Sequence, residues 1–134
     1  MTTLDQVRVG LFTRIDTITG LRVYDLVPAD INPPAAFVGA PTINDYRSDP
    51  EPVLDAAFEI GLAVSTGDIS QQLQLFPMLE RSGDWSIYAA IEADRTLGGL
   101  NVDAFVQSAR SFGIQEIGAT KYYAASVSVR ALIG

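Results

Sequence analysis

Apolar residues recur at Leu4, Val7, Leu11, Ile15 and Ile18, at intervals of three and four, the spacing that lines one face of an α-helix. The stripe predicts an amphipathic helix over residues 3–18, with Thr2 or Thr3 as N-cap and Gly20 as stop. Leu21, Val23, Tyr24, Leu26 and Val27 follow at once and end at Pro28, which predicts a strand reached through a tight turn at Gly20. Pro28 to Pro34 combines three prolines with two Asx residues and reads as a stiff extended loop, after which Ala35–Ala40 predicts a short strand closed by Pro41.

Pro41 to Pro52 is the longest polar segment, with Asn44, Asp45, Arg47, Ser48, Asp49 and Glu51 around one aromatic, Tyr46. It reads as a long loop, a class that is commonly functional when it occurs inside a folded domain. From Val53 to Val64 the even positions Phe58, Ile60, Leu62 and Val64 are apolar, the period of a half-buried strand. Asp68 is the expected cap of a helix carrying Ile69, Leu73, Phe76 and Leu79, with a kink or restart at Pro77. Ser82-Gly83-Asp84 predicts a break and an N-cap for a further helix from about Trp85 to Ala93, which ends in the Asp94–Gly99 stretch. Two strands complete the chain, Leu100 to about Ser111 and Tyr122 to Ile133, the second alternating cleanly. The implied fold class is α+β: one domain over residues 1–134, with a mixed, mainly antiparallel β-sheet and helices packed on one face.

Composition narrows the chemistry. The 134 residues are 48% apolar and 19% charged, which suits one folded domain with a sizeable core. Neither cysteine nor histidine occurs, which removes disulfides, thiolate metal sites, a cysteine nucleophile and the usual general base near neutral pH. The formal charge is -7, and the nine Lys and Arg residues are scattered with no two adjacent. Nucleic acid therefore finds no basic stripe, and an acidic surface would repel DNA. The N-terminal residues lack the pattern of a secretion signal, and no apolar run reaches the roughly 18 residues of a membrane span. No membrane partner is expected, and synthesis in a cytoplasm is.

The candidate functional residues are Asp45, Tyr46, Arg47 and Asp49 in the long polar segment. They read as an arm that orders on assembly, with Tyr46 as anchor and Arg47 pairing with a carboxylate on a neighbouring subunit; a solvated loop with an incidental tyrosine is the alternative. Asp25, Asp30 and Asp45, or Glu92 with Asp94, could be offered as carboxylate pairs for acid–base or Mg²⁺ chemistry, but caps and turns explain them more simply. Gly98-Gly99 lacks the lysine and hydroxyl of a phosphate loop and reads as a helix stop. Trp85, Tyr88, Tyr122 and Tyr123 have no cluster of cations around them, Lys121 beside Tyr122 standing alone, and read as core and rim aromatics. Pro33-Pro34 reads as a rigid connection that sets where the second strand begins. No catalytic residue, metal or cofactor is expected.

The strings VYDLVPADINPPAAFVGAP (Val23–Pro41) and AIEADRTLGGL (Ala90–Leu100), together with the order of elements over most of the chain, resemble the tail terminator (tail completion) proteins of long-tailed bacteriophages. The resemblance implies an α+β sandwich that closes into a homohexameric ring on the finished tail tube, stops tube polymerisation and offers a docking surface to the head connector. It further implies a virion structural role with three partners, namely copies of itself, the tail tube protein and a connector or neck protein, in a protein assembled in the host cytoplasm. The sequence departs from the family at Gln74-Leu75-Phe76-Pro77, where a proline interrupts the middle helix. Two other readings remain open: a head closure or other neck protein, and a monomeric small-ligand-binding domain.

Overall fold

The computed structural model describes residues 2–24, 31–47, 52–67, 69–117 and 119–134. Helix α1 spans Leu4–Ile15, and a reciprocal capping box opens it, with Gln6 N donating to Thr3 Oγ1 at 3.2 Å and Thr3 N donating to Gln6 Oε1 at 2.8 Å. Two orphan amides of the first turn are thereby satisfied. The predicted stripe is the buried one: Val7, Leu11, Ile15 and Ile18 all lie in the main core. Each such side chain contributes roughly 1.5–3 kcal/mol by leaving water. Gly20, at φ +87, makes the left-handed turn that ends the segment.

Five strands follow in the order β1 (Arg22–Tyr24), β2 (Ala35–Arg47), β3 (Val53–Val64), β4 (Val102–Ile117) and β5 (Thr120–Ile133), with three short helices between β3 and β4. They form one sheet, β1-β2-β3-β5-β4. β1 runs parallel to β2, and every other pair is antiparallel. The α+β class with a mainly antiparallel sheet is therefore what the chain adopts. The even positions Ala56, Phe58, Ile60, Leu62 and Val64 of β3 and the odd positions Ala125 to Ile133 of β5 join α1, Leu75 and Met78, and Ile87 and Ile91 in a single cluster. All the helices that contribute to the core thus lie on one face of the sheet. On the opposite face a second, small cluster forms around Ile31, Ala35, Ala63 and Tyr122, where the Tyr122 hydroxyl donates to Ile31 O at 3.0 Å.

Several boundaries differ from the sequence reading. Of the first predicted strand, Arg22–Tyr24 is β1, while Leu26, Val27 and Pro28 lie outside the described residues. Pro41 does not close β2, which continues to Arg47. Register shifts fall between Val38 and Pro41, and β1 accompanies β2 only as far as Phe37. The missing N–H of Pro41 therefore meets a bulge and an open side instead of a continuous ladder.

The predicted single middle helix is two pieces, α2 (Ile69–Gln72) and α3 (Leu75–Leu79). Pro77 sits in the first turn of α3, where its absent N–H would have had no intrahelical partner; the break precedes it, at Leu73 and Gln74. The buried residues are Leu75 and Met78, whereas Ile69, Leu73 and Phe76 are exposed. The predicted cap Asp68 lies outside the described residues. The last helix, α4, is Ile87–Glu92, starting two residues later than expected. Its cap is the buried Ser86, which accepts from Ala89 N at 3.0 Å and donates to Glu80 O. β4 outruns its predicted end at Ser111 by passing through two register shifts, after Val106 and after Ser111.

Candidate assembly interface

Asp45, Tyr46 and Arg47 occupy the last turns of pleat in β2, opposite Asp55, Leu54 and Val53 of β3. The segment expected to be a loop is thus a rigid antiparallel arm as far as Arg47, and Asp49 lies outside the described residues. The register shift between Ile43 and Asp45 leaves Asn44 without a partner in the ladder and sets Asp45 opposite Asp55. Tyr46 is 77% exposed, an unusual state for an aromatic residue on a strand. A recess of about 210 Å³ lies beside it, walled by Thr2, Arg47, Val53, Leu54 and Ile133.

The register places this arm relative to the rest of the sheet. Leu54, Ile133 and Val102 share one cross-strand row, and Val64, Tyr123 and Ile114 share another. The β2–β3 end that carries Tyr46 and the β4–β5 end that carries the exposed Ile114 therefore lie at opposite ends of the sheet, Tyr46 on the β2 edge in the row of Leu54, Ile133 and Val102.

The face away from the helices is covered at one end by the small cluster around Ile31 and Tyr122, and no helix packs on it among the described residues. Near the Tyr46 end of this face lies the Asp55–Arg130 pair, bound through both carboxylate oxygens at 3.0 and 2.5 Å. The Arg130 guanidinium holds the Asp55 carboxyl below its ordinary range; partial burial opposes that shift and Asn44 reinforces it. Further along the same face a groove of about 430 Å³ is walled by Phe37, Gly61, Arg110, Ile117, Ala124 and Ser126. Any Cβ at Gly61 would stand 2.3 Å from the Phe37 ring, so glycine at this position lets the ring lie flat across β3.

The remaining candidates fall into structural roles. Asp94 accepts from Thr96 N at 3.2 Å, Thr96 Oγ1 at 2.7 Å and Gly98 N at 3.0 Å, bonds that hold its carboxyl below the usual range. Glu92 turns instead to Arg95, which is bound to Asp103 at 2.8 Å, so Glu92 and Asp94 are not brought together. Asp25 and Asp30 lie outside the described residues. Gly98 and Gly99 take φ of 89 and 90 in the turn after α4. Trp85 and Tyr123 pack against the main core, Tyr122 lies in the small one, and Arg81 stacks 5.4 Å from the Tyr88 ring centre. Pro34 O accepts from Arg22 N at 3.2 Å, which ties the proline pair to the start of the β1–β2 pairing.

Among the described residues, no group of three or more His, Cys, Asp or Glu is placed to hold a metal ion, and no helix is long and apolar enough to cross a membrane. Sequence reasoning expected helices on one face only, but it did not single out Asp55 and Arg130, whose positions on β3 and β5 read as ordinary solvent-facing alternation. It placed Ile69, Leu73, Phe76 and Leu79 on one helix without telling which of them the core would bury. A scan against protein-family models and a search of curated proteins both find no match.

Proposed function

We propose that this chain is a non-enzymatic virion structural protein of the tail-terminator type, a subunit that closes into a ring on the tail tube and presents a surface to the head connector. The observation that carries this reading is the one-sided sheet. One face is covered by the helices, the other carries only a small cluster at its Ile31–Tyr122 end, and Tyr46 stands in solvent at the opposite end. Tyrosine and arginine are among the residues enriched at the anchors of protein interfaces. The sequence resemblance at Val23–Pro41 and Ala90–Leu100 supplies the kind of assembly.

In this reading Tyr46 and Arg47 dock on the neighbouring subunit, and copies meet head to tail, as closure into a ring requires. The partners are further copies in a six-membered ring, the tail tube protein and a connector or neck protein. The site of action is the virion, with assembly in the host cytoplasm. The net charge of -7 suits a ring through which DNA passes without adhering.

The test is sedimentation velocity over a wide concentration range, with negative-stain imaging, in the absence and presence of purified tail tube protein. A closed ring of about six copies that binds tube ends supports the terminator reading. A ring that ignores tube protein points to another neck position, such as head closure. A monomer under both conditions overturns the assembly reading and favours a small-ligand domain built on the Phe37–Gly61 groove.

A further inference from the structure

The groove formed by α3 and the turn that follows it is walled by two carboxylates and an indole to which the chain itself brings no cation. It measures about 450 Å³, and Pro77, Glu80, Asp84 and Trp85 are among its walls. Trp85 is half-buried, packing against the main core while it walls the groove. Among the described residues, neither Glu80 nor Asp84 takes part in an ion pair. The cation–ring contacts among them are Arg81 on Tyr88 and Arg95 on Phe105, so no cation lies over Trp85. An indole beside two unpaired carboxylates suits an arginine, whose planar guanidinium stacks on aromatic rings and binds carboxylates through paired N–H groups. Two other grooves of similar size hold cations of their own: Arg14 lies with Asp94 along α1, and Arg110 with Glu59 and Glu116 beside Phe37.

Arg47 is the matching cation. It is exposed, ends the rigid β2 arm, and forms no ion pair among the described residues. It does not reach the groove of its own copy. A Cβ on Gly20 would stand 3.4 Å from Trp85 Cζ2, and two residues further on Arg22 begins the cross-strand row through Ala35, Ala63 and Ala124. That row adjoins the one that holds Ile114, so the groove lies toward the end of the sheet opposite Arg47. The 13 residues of β2 separate the two, about 40 Å at the usual rise of a strand. Arg22 and Lys121, the other exposed cations without an ion pair among the described residues, stand at the groove's own end. A contact through either of them would join like ends of two copies, whereas a ring needs unlike ones.

We infer that Arg47 of one copy seats in the Trp85 groove of the next, its guanidinium against the indole and within reach of the Glu80 and Asp84 carboxylates. Tyr46, whose side chain points to the opposite face of β2, stays outside the groove. The contact joins unlike ends and is therefore head to tail, closing into a ring when the rotation between copies allows. It is an anchor within the interface and not the whole of it: a few aromatic and arginine residues carry most of the binding energy, while the contacts around them exclude water. This inference rests on the assembly reading above and names the receptor of its arm.

The chain contains no cysteine, so introduced thiols report on the contact without background. Arg47→Cys and Asp84→Cys are each oxidised alone and as an equimolar mixture. Arg47→Glu is sedimented beside the unmodified protein and beside a charge-swapped variant that adds Glu80→Arg and Asp84→Arg. A disulfide-linked dimer is expected from the mixture and from neither variant alone. Arg47→Glu should lose the larger species at an unchanged melting temperature, and the charge-swapped variant should regain them. Linkage of either cysteine variant with itself would show like ends meeting and overturn the inference. A loss in Arg47→Glu that the swap does not recover would set Arg47 against another surface and equally overturn it. Absence of linkage in the mixture, with oligomers intact in Arg47→Glu, would overturn it while leaving the assembly reading in place. An unmodified protein that stays monomeric at every concentration, with and without tail tube protein, would remove both.

Discussion

Gly10 lies buried in the middle of α1, and its replacement by alanine sets two effects of opposite sign against each other. Helix propensity alone predicts that Gly10→Ala stabilises the fold by about 0.5–1 kcal/mol. Packing predicts the reverse. A Cβ at this position would stand 2.7 Å from Leu97 Cβ and 3.3 Å from Leu97 Cδ1, well inside the roughly 3.5–4.0 Å of a comfortable carbon contact. Leu97 cannot easily withdraw. It is held at φ 54, followed by two glycines in left-handed conformations and preceded by the turn that Asp94 caps. Overpacking of that kind costs about 1–3 kcal/mol. The net expectation is a loss of about 1 kcal/mol, or about 3–5 °C in Tm for a chain of this size, measured by thermal melts followed by circular dichroism. The Leu97→Gly background supplies the control. It removes the obstructing Cβ, and there Gly10→Ala should become neutral or stabilising, a coupling of about 1–2 kcal/mol. A rise in Tm for Gly10→Ala alone would refute the close approach of α1 to the 94–100 turn.

Four further outcomes are expected. Tyr46→Ala should leave the Tm within about 2 °C, since surface substitutions stay within about 0.5 kcal/mol, yet reduce oligomers in sedimentation; unchanged assembly would remove Tyr46 from the interface. Phe58→Ala, at a side chain 1% exposed, should cost about 3–5 kcal/mol in urea unfolding, and a loss under 1 kcal/mol would mean that the centre of the sheet is not packed as described. Ser86→Ala removes both the α4 cap and the bond to Glu80 O and should lower stability by about 1–2 kcal/mol, whereas an unchanged melt would deny it the capping role. The Asp55 carboxyl is held below the ordinary aspartate range by the hydrogen bond from Arg130; its contribution is therefore complete above the unfolded value near about pH 4 and is lost as pH falls through the depressed value. Asp55→Asn should flatten the acid limb of a Tm-against-pH curve below about pH 4, and an unaltered limb would argue against the pair.

Local chemistry was enough to read those elements whose stabilising contacts lie close in sequence or repeat with a regular period. The stripe from Leu4 to Ile18 and the Thr3–Gln6 capping box define α1 within a few residues, and the alternation from Val53 to Val64 gives β3 its boundaries. Both patterns bury one face completely, so a slip by one residue would expose the entire set. The mixed architecture followed from the order of such elements. Of the candidate site, sequence alone singled out Asp45, Tyr46 and Arg47 through their polar surroundings and lone aromatic.

Tertiary structure decided what those patterns were for. The segment after Pro41 is strand because β3 offers it a ladder from Arg47 back to Ala35 and because β2 lacks a neighbour where Pro41 would have needed one. The apolar spacing of Ile69, Leu73 and Phe76 is that of a core helix, but the Leu73–Gln74 break and the burial of Leu75 and Met78 turn that face outward. Periodicity shows that a face is apolar; only the packing of the other elements determines whether the chain covers that face itself or leaves it for another. The same holds for Gly10 and Gly61, whose missing side chains mean nothing until Leu97 and Phe37 are placed against them.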